Sequence, residues 1–120
     1  FTSLEPLKNL TNLTSLFLSM NGHESQSIDL SPLASLTNLQ SLTIQARDFE
    51  YDPVVPSLVN LSALSNLTNL QNLDLTVSDV VDISPLRNLT NLQSVTISEY
   101  GSQKITDWSP VEHVPNVTKS

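Results

Sequence analysis

The chain has no cysteine and only two glycines in 120 residues. Without thiols there is no disulfide framework and no thiolate metal site. Two glycines are too few for a glycine-rich loop that cradles phosphate. Neither a Gly-x-Ser-x-Gly turn nor a positioned nucleophile–base pair is present, so no catalytic constellation is read and an enzyme is not expected. Cations are scarce as well: five Lys and Arg stand against twelve Asp and Glu, a net charge of -7. A chain so poor in cations does not neutralise a phosphate backbone, which excludes sequence-independent nucleic-acid binding. It is equally unsuited to an anionic membrane surface. Aromatic residues make up 5% of the chain against 38% hydrophobic, so the core is aliphatic. No apolar run has the length of a membrane span, and direct membrane insertion is not expected.

What the chain does have is a recurring tetrapeptide. Leu-Thr-Asn-Leu stands at 10–13, 36–39, 67–70 and 89–92, and Val114-Pro115-Asn116-Val117 reads as a decayed fifth copy. The spacings are 26, 31, 22 and 25. Taking 22 as the unit, the others carry insertions of 4, 9 and 3 residues. Internal repeats of this length mark a solenoid.

An alternating run follows each of the first four tetrapeptides: Ser15 to Leu18, Ser41 to Ile44, Asn72 to Leu75 and Ser94 to Ile97. Period two over four residues makes a short strand with one buried face. Strands one coil apart run parallel, each reached by a crossover. A second pattern precedes each tetrapeptide: Leu4-Glu5-Pro6-Leu7, Leu30-Ser31-Pro32-Leu33, Leu61-Ser62-Ala63-Leu64, Ile83-Ser84-Pro85-Leu86 and Trp108-Ser109-Pro110-Val111. Proline fixes φ and suits the first turn of a short helix. One coil is thus strand, turn, short helical segment, turn.

These motifs resemble the leucine-rich repeats of the internalin family of Gram-positive surface proteins. The stretch from Leu70 to Leu89 fits that pattern almost fully, with Asp82-Ile83-Ser84-Pro85-Leu86 in place. The resemblance covers the whole chain. It implies an α/β fold: a right-handed leucine-rich-repeat solenoid with a parallel concave β-sheet and short helical turns on the convex side. It also implies a cell-surface or secreted location and protein binding on the concave face, with no cofactor. The insertions depart from the family's regularity. So does the column three residues after each strand's last Leu or Ile, which holds Asn21, Arg47, Ser78 and Tyr100. No capping segment is read at either end. Residues 1–120 are therefore expected to be one domain of four to five coils, a fragment of a larger surface protein. Its open ends are expected to favour end-to-end self-association.

The recurring Leu, Ile and Val residues are read as core. Asn12, Asn38, Asn69, Asn91 and Asn116 are read as a stacked ladder in the turn before each strand. The Asn-x-Ser/Thr triplets at Asn12 and Asn60 are by-products of the repeat. Trp108, at a Leu or Ile position, is read as core or end-closing, and His23 and His113 as surface residues.

Three columns face away from the core. They are Ser15, Ser41, Asn72 and Ser94; Phe17, Thr43, Asp74 and Thr96; and Ser19, Gln45, Thr76 and Ser98. Phe17 and Asp74 are the candidate anchors of this otherwise small, polar face. The insertions, Gly22 to Ser27, Asp48 to Leu58 and Gly101 to Lys104, all follow a strand's C-terminal end and share one edge. Long loops on a rigid scaffold often carry function. Arg47, Phe49, Tyr51 and Tyr100 on that edge are the candidate binding ridge, weighed against Phe49 and Tyr51 tucking onto the coil. Asp48, Glu50 and Asp52 alternate, but lack the glycine-turned loop of a calcium site. The expected function is a recognition module for a protein, a host receptor included, or a glycan. The alternatives are a spacer that presents other domains and a non-catalytic module attached to an enzyme.

Overall fold

The computed structural model describes residues 4–21, 27–47, 57–59, 61–78, 82–100 and 105–119. Five parallel strands form one sheet: β1 (Ser15–Asn21), β3 (Ser41–Arg47), β5 (Asn72–Ser78), β6 (Ser94–Tyr100) and β7 (Asn116–Lys119), in that order. Four of them run seven residues, three more than the alternating runs indicate. The extra residues lie on the side where the insertions leave the sheet. There β1 pairs with β3, and β5 with β6, along their full length.

The opposite side of each coil is built on a period of three. A 3-10 segment begins next to the repeat proline: Glu5–Leu7, Ser31–Ser35, Ser84–Leu86 and Ser109–Val111, with Leu61–Asn66 as the alanine version. In coil two the hydrogen bonds step onward in threes: Leu33 N–H to Leu30 O, Leu36 N–H to Leu33 O, Leu39 N–H to Leu36 O. Coil four repeats them from Ile83 through Leu86 and Leu89 to Leu92. Residues three apart eclipse on a 3-10 helix, so every third leucine faces inward. The result is one aliphatic core in which Leu30, Leu33, Leu36, Leu39, Leu64 and Leu67 are fully buried.

A carboxylate sits before three of the convex segments. The Ser31, Ser84 and Ser109 N–H groups donate to Asp29, Asp82 and Asp107 Oδ1 at 2.9, 2.9 and 3.0 Å. Ser3 and Asn60 hold the same sequence position in coils one and three. This cap is the physical role of the aspartate two before each Ser-Pro. The Ser84 backbone N–H and then its hydroxyl hold the Asp82 carboxyl below its ordinary range, with Arg87 adding to the effect. The Ser109 hydroxyl and then its N–H do the same for Asp107.

Adjacent coils are tied by the asparagine ladder. Asn38, Asn69 and Asn91 each donate through Nδ2 to the carbonyl of the preceding coil's turn threonine, Thr11, Thr37 and Thr68, at 2.9 Å. Among the described residues, no buried side-chain nitrogen or oxygen lacks a hydrogen-bond partner.

The structure corrects three readings. Asn116 is not a rung of the ladder. It opens β7 opposite Ser94, and its Nδ2 reaches the Gln93 carbonyl at 3.3 Å. The convex segments of coils four and five are 25 residues apart, but their strands are 22 apart. Coil five thus lacks one three-residue step of its turn. Pro115 explains this: it biases Val114 toward extended backbone, so the chain enters the strand where a further turn step would begin. Second, the Gly22–Ser27 and Asp48–Leu58 insertions are not loop throughout. They end in a two-stranded parallel sheet of β2 (Ser27–Asp29) and β4 (Ser57–Val59). Two consecutive coils with extra chain can pair it in register. Third, Leu10 is not core: it is 47% exposed, because coil one is packed on one side only. His113 is a surface residue, as read from the sequence, and its Nε2 lies 2.9 Å from the Leu89 carbonyl of coil four.

Candidate functional site

The outward residues of the five strands make the concave face, and their register aligns the columns read from the sequence. Ser15, Ser41, Asn72 and Ser94 pair in succession, and β7 adds Asn116. Phe17, Thr43, Asp74 and Thr96 pair likewise, and β7 adds Thr118. In the third row Ser19 pairs with Gln45 and Thr76 with Ser98, but no rung joins Gln45 to Thr76.

Much of this face is hydrogen-bonded to itself. Asn72 Nδ2 donates to Ser41 Oγ at 3.5 Å, and Ser94 Oγ donates to Asn72 Oδ1 at 3.2 Å. Gln45 Nε2 donates to Asp74 Oδ2 at 3.4 Å. Thr43, Asp74 and Thr96 are half-buried in the flat row. Phe17 stands out at 55% exposure, the largest apolar group on the face. Two strand spacings, about 10 Å, separate its strand from that of Asp74.

The second candidate set lies on the edge. Arg47 ends β3 opposite Asn21, and Tyr100 ends β6 opposite Ser78. One strand, β5, lies between β3 and β6, so Arg47 and Tyr100 close strands about 10 Å apart on the side where the insertions leave. Phe49 and Tyr51 lie outside the described residues, as do His23, Glu24, Asp48, Glu50 and Asp52.

Sequence reasoning missed a second concavity. It is an open cavity of about 310 Å³ lined by Trp108, Ser109, Val111, Glu112, Val117 and Lys119. The Lys119 ammonium lies 4.5 Å from the centre of the half-buried Trp108 ring. The signal was available in Pro115. With the turn shortened, Lys119 pairs with Ile97 and takes the column held inward by Leu18, Ile44, Leu75 and Ile97. No group of three or more His, Cys, Asp or Glu side chains comes together among the described residues. No helix among them is long and apolar enough to cross a membrane.

No protein-family model matches the chain. No curated protein matches it in sequence. Solved structures do. An internalin of Listeria monocytogenes, InlF, superposes with a TM-score of 0.62 at 24% identity, over 92% of this chain and 36% of InlF. A second internalin of that organism, InlC2, superposes with a TM-score of 0.58 at 30% identity, over 99% of this chain and 66% of InlC2. The chain therefore spans about a third of the first and just under two thirds of the second. The first likeness speaks for the fold alone. The second joins it to the sequence motifs: the 22-residue unit, the Pro-Leu convex step and Leu-Thr-Asn-Leu. With the stacked parallel strands, these make the chain an internalin-like leucine-rich-repeat protein.

Proposed function

We propose that the chain is the recognition module of a bacterial cell-surface or secreted protein, and that it binds a protein partner, a host receptor included, on its concave face. The observation that carries this reading is the Phe17 row. A rigid sheet presents an exposed aromatic ring in register with a half-buried carboxylate. Large apolar groups flanked by polar ones are the usual anchors of interfaces. Arg47 and Tyr100, at the ends of β3 and β6, extend the same surface, and Phe49 and Tyr51 are proposed from the sequence to act with them. The described concave rows offer hydroxyls, amides and one carboxylate, groups suited to hydrogen-bonded recognition.

One observation favours the spacer reading. The Ser41–Asn72–Ser94 chain satisfies its own polar groups, as a face meant only for water would.

The test is capture from bacterial and host-cell surface extracts by wild type, Phe17→Ala, and a Phe49→Ala/Tyr51→Ala double variant of matched thermal stability. A partner held by wild type and lost by Phe17→Ala supports concave recognition. Loss only in the double variant moves recognition to the edge. Equal recovery by all three, or none by any, supports the spacer. The half-exposed Leu10 face of coil one is the surface through which end-to-end self-association would run. Sedimentation of wild type against Leu10→Ser over a range of concentrations reads it directly.

A further inference from the structure

The ladder between β3 and β5 stops at Ile44↔Leu75, although both strands continue for three residues, to Arg47 and Ser78. The ladders on either side run on to Asn21↔Arg47 and Ser78↔Tyr100. β1–β3 and β5–β6 are thus two fully zipped strand pairs joined along four positions, with β7 added on β6 and a seam between residues 45–47 and 76–78. In an unbroken parallel sheet each inner strand bonds its neighbours on both sides. Along the seam the facing edges do not pair with each other. Where the ladder stops, Gln45 Nε2 donates across it to Asp74 Oδ2.

This places a half-buried carboxylate beside the point where the β3–β5 ladder stops. One side of the carboxylate is held by an amide, and Thr43 and Thr96 flank it in its own row. Partial burial reduces the screening of its charge. The described concave side chains hold no other ionised group, and the chain as a whole is at -7, which draws cations rather than anions to it. Arg47, at the far end of the seam on β3, is the nearest cation along that strand.

We infer that the protein partner inserts an arginine or lysine side chain at Asp74, while the Phe17 ring receives an apolar side chain of the same segment. This rests on the concave-face reading above. The spacing suits one class of segment. Two strand separations are about 10 Å. In a polyproline-II segment, residues three apart lie on the same side, about 9 Å apart. An apolar-Pro-Pro-Arg stretch spans Phe17 to Asp74 without strain.

The test is a titration of the folded chain, followed by 15N–1H spectra at low salt, with acetyl-Phe-Pro-Pro-Arg-amide and with its Gln counterpart. The arginine peptide is expected to shift the Phe17, Gln45 and Asp74 amides and to bind about three- to five-fold tighter than the glutamine peptide. In Asp74→Asn that advantage disappears while the rest of the spectrum reports an intact fold. In Phe17→Ala both peptides weaken equally. Equal binding of the two peptides, an advantage that survives Asp74→Asn, or no shift at these amides overturns the inference. If an extract partner is lost by Phe17→Ala but the peptides show no charge preference, the concave reading stands and the cation inference fails.

Discussion

Coils one and five are each packed on one side only, yet they treat their apolar face differently. In coil one, Leu10 is 47% exposed and Leu7, Leu13, Leu16 and Leu18 are half-buried. In coil five the residue matching Leu10 by convex step, Val114, is 6% exposed, and Val111 is 1% exposed. Coil one repeats the inner-coil pattern, so its leucines project as though another coil packed there. Coil five breaks the pattern three times. Pro115 removes a turn step, valines replace leucines, and Lys119 replaces an inward aliphatic residue with its ammonium over Trp108. A few side-chain choices therefore leave the convex step of coil five better buried than that of coil one.

This contrast can be sharpened by substitution. The largest effect is expected where one column runs from interior to end. Leu67→Ala, in a fully buried site, should cost about 2–5 kcal/mol in chemical denaturation. Leu10→Ala should cost well under half of that, because the side chain is already half in water. Equal losses would break the comparison. Next is the ladder. Asn69→Ala removes an amide that bonds the Thr37 carbonyl and should cost about 1 kcal/mol. Asn116→Ala should cost less, since Asn116 has left the ladder for the strand. Smaller again, Lys119→Ala should cost about 0.5 kcal/mol or less, the scale of an exposed cation–π contact. Its thermal shift should vanish in a Trp108→Leu background.

The smallest effect is in acid. Asp82 and Asp107 have carboxyls held below their ordinary values, so their contribution is complete above the unfolded carboxylate range and fades as pH falls through the folded value. Melting curves from pH 6 to pH 2 should fall less steeply in Asp82→Asn/Asp107→Asn, which keeps a capping oxygen without the charge. An unchanged slope would show that these caps do not contribute through their charge.

Most of the coil was legible because its rules are local. Period two in Leu16-Phe17-Leu18 and its counterparts aligned the concave rows without any coordinates. The proline four residues before the tetrapeptide, in every coil but the third, marked the convex segment. What was not legible depended on neighbours. The exposure of Leu10 is a property of stacking, since its sequence context matches that of Leu36 and Leu67. Asn116 sits in a copy of the tetrapeptide, but Pro115 changes the hydrogen-bond register around it, and similarity of letters misled. The pairing of β2 with β4 required two insertions in adjacent coils to meet. The seam between β3 and β5 arises between two strands whose sequences alternate normally. Of the candidate site, Phe17 and Asp74 were read into one row, and the structure places them there. The Arg47 and Tyr100 positions fall at strand ends on the insertion side, and Phe49 and Tyr51 lie outside the described residues.

The central claim is that the concave face is a recognition surface. It is tested most directly by placing a bulky charge at the middle of the Phe17 row. Thr96→Arg lies next to Asp74 on β6, half-buried and away from the aliphatic core. Binding of the partner captured from extracts should weaken at least about ten-fold, some 1.4 kcal/mol, while the melting temperature changes little. Unchanged affinity in a folded Thr96→Arg variant would contradict the claim and move recognition off the concave sheet.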